Sequence, residues 1–338
     1  MATTGEGRTR GCYDGAMTSR RHDRPRADGL PPPRTHQLAE RVYAFIQPDG
    51  GWWINNTGFV VGRESVLYID TCATERRTRA FVEAVDTVAA SLATPGRPRT
   101  RMIVNTHHHG DHTNGNCLLP EATVIGHDGC RQAVQAFGIL RPDGIWEPVD
   151  WGDLEPAPPF VTFEHRLTVH VDDLRVELQH FGTAAHTTND VVAWVPDHRI
   201  LFTGDLVFNG GTPFVLMGSV AGSLVALDCV TELDADVLVP GHGEPCGVGA
   251  VDVAGEYLRF LQATAADAVH AGMTPLEAAH RADLGPFAGL QHPERLVGNL
   301  HRAMAECTGA RPGDPVDVVA ALADMVAFNG GEPLSCSA

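Results

Sequence analysis

The sequence predicts an α+β chain in which two β-sheets pack face to face with helices outside, an αββα sandwich, continued by a C-terminal helical extension. Two observations carry this. Strand-like runs gather in two stretches, 40–71 and 160–206, each accompanied by helical segments, and two sheets of this kind bury their inner faces against each other. Beyond Gly247 the pattern turns strongly helical. The expected organisation is therefore a disordered arm over 1–36, the sandwich over 37–248, and helices packed on it over 249–338.

Each element has its own justification. Residues 1–36 are rich in Arg, Gly, Asp and Pro, with PPP at 31–33 and little apolar periodicity, the composition of a segment unable to bury a core. RVYAFI, TGFVVG and VLYID read as strands between Gly-containing turns and open the first sheet. TERRTRAFVEAVDTVAASL, 74–92, places Phe81, Val85, Val88 and Leu92 at helical spacing, with acids and arginines opposite. MIVNT is the next strand, and TVIGH with GCRQAVQAF adds a strand and a helix. FVTFEHRLTVHV, RVELQHF, DVVAWVP and RILFTGD form the second run of strands. SLVALDCVTEL is a helix leading to the strand DVLV. VAGEYLRFLQATAADAVHAG, TPLEAAHRA, PERLVGNLHRAMAEC and PVDVVAALADMVAF are the helices of the extension.

Chemistry concentrates in THHHGDHTNGN, 106–116, which places His107, His109, Asp111 and His112 within six positions just after a short apolar run. Three imidazoles and a carboxylate on one tight turn converge on a cation. A catalytic zinc takes three protein ligands and leaves a position for water, so four clustered donors are too many for one open site and too few for two. The missing donors lie downstream: His186 in FGTAAHTTND, Asp205 in FTGDL and His242 in PGHGE, each in a Gly-containing turn after an apolar β-type run. Imidazoles and carboxylates without a thiolate point to zinc, with iron and manganese also compatible.

Composition narrows the function. At 338 residues and 43% apolar content the chain can build one large core. No run approaches the roughly 18 apolar residues of a membrane span, and no charged-then-apolar leader is visible, so the chain is expected to be cytoplasmic and to have no membrane partner. Eight cysteines without a CxxC pair suit reduced thiols. All 25 basic residues are Arg, which excludes a lysine Schiff base. A net charge of −17 excludes nucleic acid as the natural partner.

The succession HxHxDH, GTAAHT, TGD and PGHG resembles the ligand set of the metallo-β-lactamase superfamily in its dinuclear form. The resemblance implies two zinc ions, the first held by His107, His109 and His186, the second by Asp111, His112 and His242, with Asp205 bridging them. It casts Asp111 and Asp205 as the catalytic carboxylates and Asp70, which ends VLYID, as the partner that orients the metal loop. Members built for di-iron redox chemistry usually carry Glu where His109 stands, so that branch is disfavoured.

Four further segments, 151–170, 212–228, 281–303 and 327–333, are similar to the actinorhodin-type second-ring cyclases of bacterial aromatic polyketide biosynthesis, over about 37–338. That likeness implies a cyclase, with thioesterase activity at the same centre, acting on a partly cyclised poly-β-ketone carried by an acyl carrier protein. Trp52, Trp53, Asn55, Trp146, Phe208 and Phe214 are the expected substrate pocket, with Trp151 beside them, and suit a planar, largely apolar substrate. Arg76, Arg77 and Arg79, with Arg131 or Arg141, are the candidate docking patch for an acidic carrier. The rival readings are a hydrolase of small thioesters such as a hydroxyacylglutathione hydrolase, and a non-catalytic metal-binding or carrier-binding subunit. A β-lactamase fits less well, because many of those enzymes carry Cys or Ser at the Asp205 position.

Overall fold

The computed structural model describes residues 30–92, 99–139, 141 and 144–338. The first sheet orders β1 (Arg34–Ala39), β2 (Val42–Ile46), β3 (Thr57–Val61), β4 (Ser65–Ile69), β5 (Thr100–Val104), β6 (Thr123–His127) and β7 (Val161–Phe163) in sequence. It is antiparallel as far as β4 and parallel from β4 to β7. Its helices are α1 (Glu75–Ala90), the single turn α2 (Gly110–Thr113) and α3 (Asp128–Phe137). The second sheet runs in the order β12-β11-β10-β9-β8. Its strands are β8 (Arg166–Val171), β9 (Leu174–Gln179), β10 (Val192–Val195), β11 (Ile200–Phe208) and β12 (Val237–His242), with α4 (Val220–Glu232) between the last two. α5 (Gly249–Ala271), α6 (Pro275–Arg281), α7 (Arg295–Cys307) and α8 (Val318–Phe328) follow.

Side-chain alternation sorts the strands into layers. Val42, Ala44, Ile46, Val60, Leu67 and Ile69 of the first sheet share one core with Val169, Val176, Leu178, Ala193, Val195 and Phe202 of the second. The neighbours that point the other way, Phe45, Phe59, Val61, Val66 and Tyr68, pack on Phe81 and Val85 of α1. Val192, Trp194 and Leu201 face out from the second sheet into a core made with α4, α5, α7 and α8. Both faces of β3 and β4 are thus covered, which is why these strands read as continuous apolar runs and not as an alternation. The C-terminal helices share this third core with the sandwich and complete its outer layer.

One boundary differs from expectation. The arm expected over 1–36 ends earlier, because Arg34, Thr35 and His36 already pair with β2. As an exposed edge strand, β1 has no apolar face for a sequence pattern to reveal. Residues 1–29 of that arm lie outside the described residues.

The α1 layer hinges on Phe81, which is fully buried and meets Phe45, Phe59 and Tyr68 with ring centroids 5.3, 6.1 and 5.8 Å away. Phe81→Ala is expected to lower unfolding stability by about 3–5 kcal/mol, measured by urea denaturation, while leaving metal content unchanged because α1 contributes no donor to the metal centre.

Candidate metal centre

The parallel pairs β4–β5 and β11–β12 deliver the chemistry at their C-terminal ends. β5 ends at Val104 and passes into the loop carrying His107 and His109, and α2 adds Asp111 and His112. His186 comes from the loop between β9 and β10, and His242 is the last residue of β12. The sequence pattern puts Asp205 in a turn, but β11 runs on to Phe208 and Asp205 sits inside it. The register slips around Gly204, whose φ is +51°. A glycine that reads as a turn in sequence is here a bulge that re-aims the next side chain.

All seven expected ligands come together. The donor atoms of His107, His109, His186 and Asp205 lie within 4.8 Å of one another, as do those of Asp111, His112 and His242. Asp205 reaches both groups: Oδ2 lies 3.3 Å from His186 Nε2 and 3.3 Å from His242 Nε2, and Oδ1 lies 3.2 Å from His112 Nε2. Asp111 Oδ2 lies 3.3 Å from His242 Nε2 and 3.6 Å from His112 Nε2.

The outer nitrogens are engaged. His112 Nδ1 meets Asp70 Oδ2 at 2.8 Å, His242 Nδ1 meets the Gly50 carbonyl at 3.1 Å, His107 Nδ1 meets Thr106 Oγ1 at 3.1 Å, and His186 Nδ1 meets the Phe214 carbonyl. These contacts fix the tautomers so that Nε2 faces inward. His109 turns Nδ1 to the centre, 2.9 Å from His186 Nε2. Asp70, at φ +62° after β4, also accepts from Thr106 N and Thr106 Oγ1, each at 2.7 Å, and so ties the loop to its own strand.

Metal ions fit these residues on a physical ground. His107 Nε2, His112 Nε2 and Asp205 Oδ1 are buried and have no hydrogen-bond partner among the described residues, and buried polar atoms of this kind need a compensating ligand. Charge is distributed unevenly. Burial is the largest influence on His107 and holds its pKa well below the ordinary imidazole value, with His112 adding to the effect; burial and then His186 do the same to His109. Burial also opposes charge on His112 and His242, but Asp205 and Asp111 overcome it, raising His112 well above its ordinary value and His242 to about 9. Burial would raise Asp205, yet the imidazoles of His242, His112 and His186 hold it well below the carboxylate range.

The expected pocket aromatics gather beside this centre. Phe208 stacks on His242 with centroids 5.2 Å apart, and Trp52 meets Trp146 and Phe214 edge-on at 5.4 and 5.2 Å. Trp53 meets Trp146 and Trp151 at 5.2 and 4.9 Å. They form a packed cluster: Trp52, Trp53, Phe208 and Phe214 are each no more than 9% exposed. The Nε1 atoms of Trp53 and Trp146 are buried without a partner among the described residues.

Two expected roles are corrected. Asn55 does not offer its side chain to a pocket; its Nδ2 donates to the Thr71 carbonyl at 2.8 Å and its Oδ1 accepts from Gln47 Nε2, which holds the loop before β3 in place. Arg77 does not offer a free cation, since it donates to Gln47 Oε1 at 2.9 Å and to the Ser337 carbonyl at 2.7 Å. Arg79 pairs with Glu75, Arg131 donates to the Pro159 carbonyl, and Arg141 contacts the Gly152 carbonyl. Sequence reasoning missed Thr106 and Arg295. The Arg295 guanidinium is buried 4.3 Å over the Trp52 ring and 5.0 Å over that of Phe208, and no local motif announces it.

The sequence profile described as Metallo-beta-lactamase superfamily matches residues 50–242. The hydroxyacylglutathione hydrolase of Rhodospirillum rubrum is 31% identical over 137 residues, 40% of this chain and 45% of the relative. The chain thus spans less than half the length of that relative. The metallo-beta-lactamase type 2 of Bacteroides fragilis is 24% identical, over 64% of this chain and 81% of the relative. Among solved structures, a metallo-beta-lactamase from Pontibacter korlensis aligns with TM-score 0.55 at 18% identity, covering 68% of this chain and 99% of its own. The folds agree over that share of the chain.

A Cβ at Gly241 would overlap Asp205 Oδ1, so Gly241→Ala is expected to lower bound metal, read by atomic emission on folded protein. Protons and metal also compete for the same nitrogens. In the metal-free protein His112 and His242 keep their protons at pH 7 because their pKa values are raised, whereas His107 and His109 are already neutral. Metal affinity should therefore climb as pH rises toward 9, with protons released on binding at pH 7. Calorimetry in buffers of differing ionisation enthalpy measures this, and zero release at pH 7 refutes it.

Proposed function

The chain belongs to the metallo-beta-lactamase superfamily, and from that premise we propose that it is a metal-dependent cyclase that closes and aromatises the second ring of a carrier-bound poly-β-ketone, with thioester hydrolysis at the same centre. The single observation that carries this reading is the aromatic cluster built against the donor set, with two buried indole N–H groups left over for the oxygens of a ligand. The similarity of residues 151–170, 212–228, 281–303 and 327–333 to the actinorhodin-type second-ring cyclases supports the same substrate class.

When bound, two zinc ions supply Lewis acidity at carbonyl oxygen and a base competent at neutral pH. The chain's residues do the rest. His107, His109 and His186 on one side, and Asp111, His112 and His242 on the other, would hold the ions, and Asp205 reaches both groups. Asp111 and Asp205 are the carboxylates of this centre: both are buried among the imidazoles, Asp205 between the two groups of donors and Asp111 against His242, where they would balance the charge of the ions. Trp52, Trp53, Trp146 and Phe214 exclude water and hold the chain folded, which turns a floppy polyketone into a near-attack conformer. An α-carbon loses its proton, the resulting enolate carbon attacks a ketone within the same molecule, the alkoxide takes up a proton, and loss of water gives the ring.

The carrier protein would approach over the N-terminal turn of α1, where Arg76 is exposed. A hydroxyacylglutathione hydrolase is the second reading, favoured by two such relatives at 31% and 28% identity, each over 40% of this chain. Mass spectrometry of the products of a minimal polyketide synthase, with this protein added with and without chelator, tests the first reading. A chelator-sensitive second ring is expected. Unchanged products together with turnover of lactoylglutathione would establish the second. Trp53→Phe keeps an aromatic ring at this position and removes the indole N–H, so it should raise KM for the carrier-bound polyketone about 2- to 10-fold, the range of one neutral hydrogen bond, at unchanged metal content.

A further inference from the structure

α7 lies outside the 50–242 segment that matches the superfamily, yet it is bonded to the metal centre through one loop. Arg295, Asn299, Arg302 and Glu306 recur every three or four residues and so share one face of the helix. Each bonds backbone between residues 212 and 221. Arg295 Nη1 donates to the Thr212 carbonyl at 3.0 Å, and Arg302 Nε donates to the Leu216 carbonyl at 3.1 Å. The Glu306 carboxylate accepts from Val220 N at 3.0 Å and Ala221 N at 3.2 Å.

Asn299 stands at the middle of this series and is fully buried. Its Nδ2 donates to the Pro213 carbonyl at 2.7 Å, and its Oδ1 accepts from Val215 N at 2.9 Å. The two bonds bracket Phe214, whose carbonyl is the acceptor for His186 Nδ1. A Cβ at Gly298 would lie 2.9 Å from Phe214 Cε2, so the helix also sits hard against the ring of the same residue.

We infer that Asn299 is a positioning residue for the metal ligand His186, and that the C-terminal extension thereby completes the half of the centre formed by His107, His109 and His186. The physical link is short. The amide pins the peptide groups on either side of Phe214, and the Phe214 carbonyl then has one direction. That direction keeps the His186 proton on Nδ1 and leaves Nε2 free as a donor atom. A loop released from α7 lets the carbonyl swing, and a His186 without its acceptor populates the tautomer that presents a proton to the ion. Partners of this kind are worth about 10- to 100-fold in metal affinity.

The test reads zinc affinity and stoichiometry by competition with a chromophoric chelator, and the visible spectrum of the cobalt-substituted protein. Asn299→Ala is expected to bind one ion about 10- to 100-fold more weakly and the other as the native protein does. Tyr257→Phe is the matched control. It removes the hydroxyl 3.0 Å from the same Nδ2 but touches neither bond to the loop, and it should bind both ions normally. Should Asn299→Ala not fold, Asn299→Leu, which keeps the side-chain volume and gives up both bonds to the loop, is measured in its place with the same expectation. Native affinity for both ions in a folded Asn299 variant overturns the inference, as does an equal loss in Tyr257→Phe. Metal affinity is independent of substrate, so such a failure would leave the polyketone reading standing.

Discussion

The structure depends on a crowd of donor atoms that cannot satisfy one another. His186 Nε2 and His109 Nδ1 face each other at 2.9 Å, while His107 Nε2, His112 Nε2 and Asp205 Oδ1 are sealed from solvent with no partner among the described residues. The outer nitrogens of His112, His186 and His242 are bound to oxygen acceptors, so once the rings are neutral the inner ones carry the lone pairs. A polar cluster this deep in a core is destabilising unless something cationic occupies it. The surrounding fold holds it open to that occupant. Asp70 accepts a left-handed backbone to face both Thr106 and His112, and Gly204 breaks the register of β11 to turn Asp205 inward.

The sandwich suits this task because its rigidity and its chemistry occupy different places. The layer between the sheets is built of buried apolar side chains, Val, Leu and Ile foremost, and such layers move little. The parallel strand pairs bring their C-terminal ends to one edge, where loops leave the sheet with few constraints on sequence. The extension then fastens the 212–221 segment, whose Phe214 carbonyl meets His186, the one ligand that no parallel strand delivers directly. This division also places the superfamily match and the helical extension in complementary roles: the first supplies donor atoms, and the second fixes the 212–221 segment that directs one of them.

What was legible in the sequence follows the same line. Ligands were legible because imidazoles and carboxylates crowded onto one turn repel or desolvate each other unless a cation sits among them. Layers were legible because strands such as β3 and β4, covered on both faces, cannot hide their apolar runs. β1 was not, since Arg34, Thr35 and His36 belong to an exposed edge. Asn55 and Arg77 misled for one shared reason. Each sits next to functional neighbours, but a polar side chain beside buried backbone carbonyls is taken up by them, Asn55 by Thr71 and Arg77 by Ser337. Those partners lie 16 and 260 residues away, and no local pattern encodes them. Arg295 escaped for the same cause, as its ring partners Trp52 and Phe208 come from distant parts of the chain.

The closed aromatic cluster bears on selectivity under the proposed reading. The C-terminal tail holds it shut: Leu334 bridges Trp146, and Cys336 Sγ reaches the Trp52 carbonyl. A ligand entering between Trp52, Trp53 and Trp146 must replace ring-to-ring contacts that already exist. A planar, partly aromatic ligand returns those contacts and offers oxygens to the two unpartnered indole N–H groups, so the exchange is close to neutral or better. A small polar thioester removes the contacts and returns little. Discrimination would then arise from what the cluster loses as much as from what the ligand gains, and the donor set of this chain need not change for the substrate to differ.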